Sequence, residues 1–143
     1  MSGPYGEFYL RPSDRKILLI ATGSGLAPIR SMLFQIDHEK IDRETTLLFG
    51  AKTVQDLYYF DELKAFEQSI SHFRFIPTLS RTTGEEGWEG EKGRVTKLIE
   101  SHVPVKAPVD VYICGAPPMV ESCLEILTQK GIPDDRTFFD KFA

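Results

Sequence analysis

The sequence has only two cysteines, Cys114 and Cys123, nine positions apart with no C-x-x-C pair. Its three histidines, His38, His72 and His102, are scattered. These absences exclude an iron–sulfur cluster or structural zinc site held by this chain alone. They also leave no disulfide framework, which points to a reducing compartment. No apolar run approaches the ~18 residues of a membrane helix. The start, Met1-Ser2-Gly3-Pro4, lacks the apolar stretch of a secretory signal. Basic residues are not in excess: Lys and Arg number 17 against 21 Asp and Glu, a net charge of −4. The overall positive footprint of a nucleic-acid binder is therefore missing. Internal repeats and low-complexity segments are missing as well.

What remains is one domain's worth of chain. At roughly 150 residues per domain, 143 residues make one unit. With 41% apolar and 27% charged residues it has the balance of a globular domain with a real core.

The hydrophobic pattern alternates strand and helix. Lys16–Thr22 is a short apolar run ending in glycines, the mark of a strand buried on both faces. Residues 28–38 follow at helical spacing through Ile29, Met32, Leu33 and Ile36, with Pro28 in the first turn. Further strands are expected at 45–50, Phe73–Leu79, 109–114 and 136–142, and further helices at Phe60–Ser69, 95–101 and 118–130. Residues 82–93, polar and glycine-rich, read as a loop. Gly131 stands where a helix-stopping glycine belongs. Alternation of this kind implies a doubly wound, five-stranded parallel sheet of α/β class. Its ligand is expected at the carboxyl ends of the strands.

Two strand ends carry unusual residues. In Thr22-Gly23-Ser24-Gly25-Leu26-Ala27-Pro28 the glycines allow a sharp turn and close approach of a ligand, and Ser24 adds a hydroxyl. The helix behind offers free N–H groups, which suits a pyrophosphate. The run is neither G-x-G-x-x-G nor a P-loop, and ~20 residues on, Glu44 opens a strand where the ribose-binding acid should close one. Alone, the run reads equally well as a tight turn with no ligand. In Cys114-Gly115-Ala116-Pro117-Pro118-Met119 a thiol ends a buried strand and prolines open a helix. That thiol either faces the ligand crevice or is a small buried hydrophobe. Ser80-Arg81 closes the third strand, as a phosphate or ribose contact or as a solvated loop. Gly50-Ala51-Lys52 closes the second, followed by Asp56, which either accepts from ribose hydroxyls or pairs with Lys52.

Taken together, these pieces resemble the pyridine-nucleotide domain of the ferredoxin–NADP reductase superfamily. Gly3-Pro4-Tyr5-Gly6-Glu7-Phe8 resembles its G-P-x-G-x-F junction, and Thr22–Pro28 its T-G-x-G-x-A-P pyrophosphate loop. Trp88-x-Gly90-x-x-Gly93-Arg94-Val95 resembles its W-x-G-x-x-G-x-V stretch, Cys114–Met119 its C-G-x-P-P-M motif, and Phe138–Ala143 its aromatic tail. Within the superfamily the chain is most similar to NADH-dependent oxygenase reductase components and to the F subunit of sodium-translocating NADH:quinone reductase.

The resemblance implies a Rossmann-like domain over residues 11–143, with 1–10 as the junction from a flavin-binding barrel of the same polypeptide. It implies hydride transfer from nicotinamide to FAD, then electron transfer to a ferredoxin domain, oxygenase or quinone. FAD is expected on that barrel and a [2Fe-2S] centre on a further domain. Thr22, Gly23, Ser24, Gly25 and Pro28 would hold the pyrophosphate. Gly50, Lys52, Asp56, Ser80 and Arg81 would hold the adenosine end, and Gly115, Pro117, Pro118 and Met119 the nicotinamide end. Cys114 would lie beside the nicotinamide, and Phe142 would cover the flavin until nicotinamide displaces it. NADH is favoured over NADPH, because Asp56 and the loop carboxylates Glu85, Glu86, Glu89 and Glu91 oppose a 2′-phosphate. The location implied is cytoplasmic, or the cytoplasmic face of a membrane complex. The alternative is a regulatory nucleotide-binding module without redox chemistry.

Overall fold

The computed structural model describes residues 8–57, 59–81 and 87–141, the Ser24 side chain excepted. The strands are β1 (Lys16–Thr22), β2 (Thr45–Ala51), β3 (Phe73–Leu79), β4 (Glu91–Lys92), β5 (Val109–Gly115) and β6 (Thr137–Lys141). The helices are α1 (Leu26–His38), α2 (Phe60–Ser69), α3 (Val95–His102) and α4 (Pro117–Gln129). All strand pairings are parallel, in the order β4-β3-β2-β1-β5-β6. The chain winds outward from β1 in one direction and then from β1 in the other, so the strand order reverses between β1 and β5.

The sheet therefore has six strands where the sequence pattern implies five. The extra one is β4, two residues inside the glycine-rich stretch, which pair with Thr78 and Leu79. Two exposed charged residues carry no period-2 signal, so only the neighbouring strand reveals them. Residues 136–142 supply β6 over Thr137–Lys141.

Both faces of the central strands are buried, as their unbroken apolar runs require. Ile17, Leu19 and Ala21 of β1 join the core under α1 and α2, with Leu33, Leu63 and Phe66. Leu18 and Ile20, on the opposite face, join the core under α3 and α4, with Leu98, Ile99, Val120 and Cys123. Residues 8–15 lie against this frame. The Phe8 ring packs edge-on to Tyr112, Leu10 is buried, and the Arg11 N–H donates to the Tyr112 hydroxyl at 2.8 Å.

At the amino end of the sheet sits an ionic cluster built around the buried Asp110. Asp110 of β5 accepts from the Ser13 hydroxyl at 2.6 Å, from Arg15 Nε at 2.6 Å and from Arg43 Nη2 at 2.9 Å. The Arg43 guanidinium also donates to the carbonyls of Arg15 and Arg11, at 2.6 and 3.0 Å. Burial pushes the Asp110 carboxyl up. The bonds from Ser13 and Arg15, and the positive charges of Arg15 and Arg43, outweigh that and hold it below its ordinary value. The cluster ties the segment before β1, the turn before β2 and the start of β5 into one corner.

Candidate functional site

At the other end of the sheet, the carboxyl edge, a cleft of about 570 Å³ opens above β1, β2 and β3. Such a volume falls in the ~300–1,000 Å³ range of small-molecule and cofactor sites. Each strand brings one polar group or bare backbone to it. Thr22 ends β1 and Gly23 follows it, Gly50 and Lys52 lie at the end of β2, and Ser80 and Arg81 lie at the end of β3. The starts of α3 and α4 close the far side with Arg94, Val95, Thr96, Pro118, Met119 and Ser122.

Backbone bonds fix this rim. Ser80 N–H donates to the Ala51 carbonyl at 2.9 Å and Arg81 N–H to the Lys52 carbonyl at 2.8 Å. The β2–β3 pairing thus continues past both strands and brings Lys52 and Arg81 to the same lip. Asp56 accepts from the Thr53 N–H at 3.2 Å and from the Thr53 hydroxyl at 2.9 Å. This capping box holds the short turn Val54–Asp56 and keeps the carboxylate at the cleft. Of the two readings of Asp56, pairing with Lys52 is not the one realised: its partner is Thr53.

The two loop glycines do different jobs. Gly23 has φ +52°, and a side chain added there would meet nothing within 4 Å, so it supplies a turn and a bare surface toward the cleft. Gly25 faces inward. A Cβ there would lie 2.2 Å from the Cys114 carbonyl oxygen and 2.4 Å from its carbon. It is glycine so that the loop after β1 can pack on the backbone of β5, and it does not line the cleft. Pro28 also lies away from the cleft lining, in the first turn of α1.

Cys114 belongs to the core on the α1 side of the sheet and is fully buried. Burial, and after it the negative charge of Asp140, push its thiol up to about 12. A thiol that holds its proton this firmly is poorly suited to nucleophilic attack. Neither it nor Gly115 nor Pro117 is among the cleft-lining residues, whereas Pro118 and Met119 are. Glu89 and Glu91 are exposed and stand outside the lining, so of the described carboxylates expected to oppose a 2′-phosphate only Asp56 is placed to do so. Residues 3–7, Glu85, Glu86, Phe142 and the Ser24 side chain lie outside the described residues.

The residues that motif reading missed are Arg94, Thr96 and Ser122. Arg94 was visible only as part of W-x-G-x-x-G-R-V, and nothing in one-dimensional spacing brings the start of α3 over β2. Among the described residues, the cleft lining therefore carries three cations, Lys52, Arg81 and Arg94, against one carboxylate, Asp56, in a chain of net charge −4. That local reversal of sign fits an anionic ligand. Among the described residues no helix is long and apolar enough to cross a membrane, and no cluster of candidate ligands could hold a metal.

Known proteins resemble this chain in sequence and fold. The family model "Oxidoreductase NAD-binding domain" matches residues 19–125. The reductase component of propane 2-monooxygenase from Mycolicibacterium smegmatis is 36% identical over the whole chain, which spans 42% of that protein. The F subunit of the Na(+)-translocating NADH-quinone reductase from Pseudoalteromonas atlantica is 29% identical, with 36% of its length spanned. The crystal structure of the Amycolatopsis cytochrome P450 reductase GcoB superposes with a TM-score of 0.84 at 26% identity, over 98% of this chain and 42% of that one. The chain thus spans less than half the length of these relatives.

Proposed function

The chain belongs to the oxidoreductase NAD-binding domain family, and from that premise we propose that it is the NADH-binding unit of a larger flavin-dependent reductase. The observation that carries this reading is the electropositive cleft at the carboxyl ends of β1, β2 and β3, roofed by the starts of α3 and α4. The relatives' names supply the direction of electron flow: they are reductase components, serving a monooxygenase in one case and a quinone in another.

In this reading the pyrophosphate lies over Thr22 and the open backbone of Gly23, near the cationic lip. The adenosine ribose lies toward Asp56, whose carboxylate accepts from free hydroxyls and repels a 2′-phosphate, which favours NADH. The nicotinamide points toward Pro118 and Met119, past the end of β5. Cys114, kept neutral by burial, shapes that strand end and forms no covalent bond. FAD belongs to a flavin-binding domain of the same polypeptide and supplies the acceptor for the nicotinamide hydride when bound. This chain's own work is to hold NADH in one pose, which lowers the entropic part of the barrier. The next carrier is a ferredoxin domain, oxygenase or quinone, and the compartment proposed is the cytoplasm or the cytoplasmic face of a membrane complex.

Titration of the chain with NADH, NADPH and AMP tests the proposal. NADH is expected to bind more tightly than NADPH, with AMP competing. Loss of that preference in Asp56→Asn would confirm Asp56 as the discriminator. A parent chain that binds no adenine nucleotide would overturn the reading.

A further inference from the structure

We infer that Cys123, buried behind the cleft and outside its lining, is a positioning residue that holds Met119 as the cleft wall. The inference rests on the assignment of the cleft to NADH.

Residues 119 and 123 stand one turn apart on α4, so their side chains share a face. The Cys123 thiol is fully buried and donates to Met119 Sδ at 3.5 Å. Burial pushes that thiol up to about 12, so the proton needed for donation is always present. Met119 is half-buried and lines the cleft together with Pro118 and Ser122.

The far end of Met119 is located by a second feature. A Cβ placed on Gly115 would stand 2.2 Å from the Met119 methyl and 2.7 Å from the Thr22 hydroxyl. The Met119 methyl therefore occupies the gap that a side chain at 115 would fill. It lies where the ends of β1 and β5 come together, at the point where the strand order reverses. A methionine has three rotatable bonds and adapts to irregular space. Here its sulfur is held from below by Cys123 and its methyl by the gap over Gly115. Released at the sulfur, the side chain gains rotamers that sweep the cleft, and NADH must then select among them.

The sequence has three methionines, Met1, Met32 and Met119, which makes methyl-labelled methionine a clean probe. Met32 reports on the opposite core, under α1. NADH is expected to move the Met119 methyl resonance and leave that of Met32 in place. Cys123→Ala should shift the Met119 methyl in the free protein and weaken NADH about threefold, the scale of one weak hydrogen bond. Cys123→Ser, which keeps a donor, should restore most of the affinity. In a Met119→Leu background Cys123→Ala should have no further effect on binding. If Cys123→Ala does not fold, Cys123→Val, which fills the space without a donor, carries the same test against Cys123→Ser, with weaker binding and a shifted Met119 methyl expected only in the former. Unchanged NADH affinity and an unchanged Met119 methyl, with only the melting temperature lowered, would overturn the inference and leave Cys123 as core filling. Failure of the parent to bind NADH is a different result: it overturns the cleft assignment, and the inference with it.

Discussion

The two ends of the sheet hold similar charged groups under opposite conditions. At the amino end, Asp110 is 1% exposed and the Arg43 side chain 8%, and the carboxylate is bonded to Ser13, Arg15 and Arg43 within one corner of the protein. At the carboxyl end, Lys52, Arg81 and Arg94 are exposed around a cleft. The strands fix both sets of residues in space, but among the described residues only the first set is paired with an opposite charge of the protein itself. A closed cluster is costly to break and has no capacity for a ligand. An open one contributes little to stability and leaves its field available to an incoming anion.

Breaking the closed end should have the largest effect. Asp110→Ala leaves the buried Arg43 charge without its carboxylate and is expected to cost about 3–5 kcal/mol, read as a drop in denaturant midpoint, with little change in NADH affinity per folded molecule. The pH dependence follows from the sign of the shift. The Asp110 carboxyl titrates below its ordinary value in the folded protein. Its stabilisation is therefore present above the unfolded value, and is lost as pH falls through the lower folded one. Asp110→Asn should flatten the stability profile below pH ~4. A profile that keeps its acid limb in that variant would show that other carboxylates drive acid unfolding.

Gly25 sharpens the contrast, because it belongs to the open end by sequence and to the core by contact. A Cβ there meets the Cys114 carbonyl backbone at 2.2 Å, with no flexible side chain to yield. Gly25→Ala is expected to destabilise by about 2 kcal/mol or more, as overpacking does, whereas Gly23→Ala costs only the strain of its positive φ. If Gly25→Ala bound NADH poorly at full stability, the glycine would be a ligand contact and not a packing one.

The smallest effect on stability is expected at the open end. Arg81→Ala should change stability by less than about 0.5 kcal/mol, the scale of an exposed surface site. It should weaken NADH several-fold, by a factor that shrinks as salt rises. A large stability loss here would mean that Arg81 carries a structural role that its exposure does not reveal.

Much of this protein was legible in one dimension. The runs at Lys16–Thr22 and Phe73–Leu79 are apolar enough to be strands, and the glycines and prolines after them mark the turns where a ligand site must form. Thr22, Gly23, Lys52, Asp56, Ser80, Arg81, Pro118 and Met119 could be nominated because each stands at or soon after the end of a strand, and in a parallel sheet all such ends share one edge. Three things needed the third dimension. β4 consists of two charged residues and exists only because Thr78 and Leu79 offer them an edge. Arg94, Thr96 and Ser122 reach the cleft because α3 and α4 pack with these residues at the carboxyl edge of the sheet, which spacing along the chain does not encode. The packing of Gly25 and Cys114 was decided by which face each presents. Gly25 lies against a carbonyl of β5, and the Cys114 thiol lies in the core on the α1 side. The sequence by itself determined which residue types stand at each strand end, since local periodicity and turn chemistry are local properties. Tertiary packing alone decided which of them meet a ligand and which meet each other, since that depends on contacts between segments far apart in the chain.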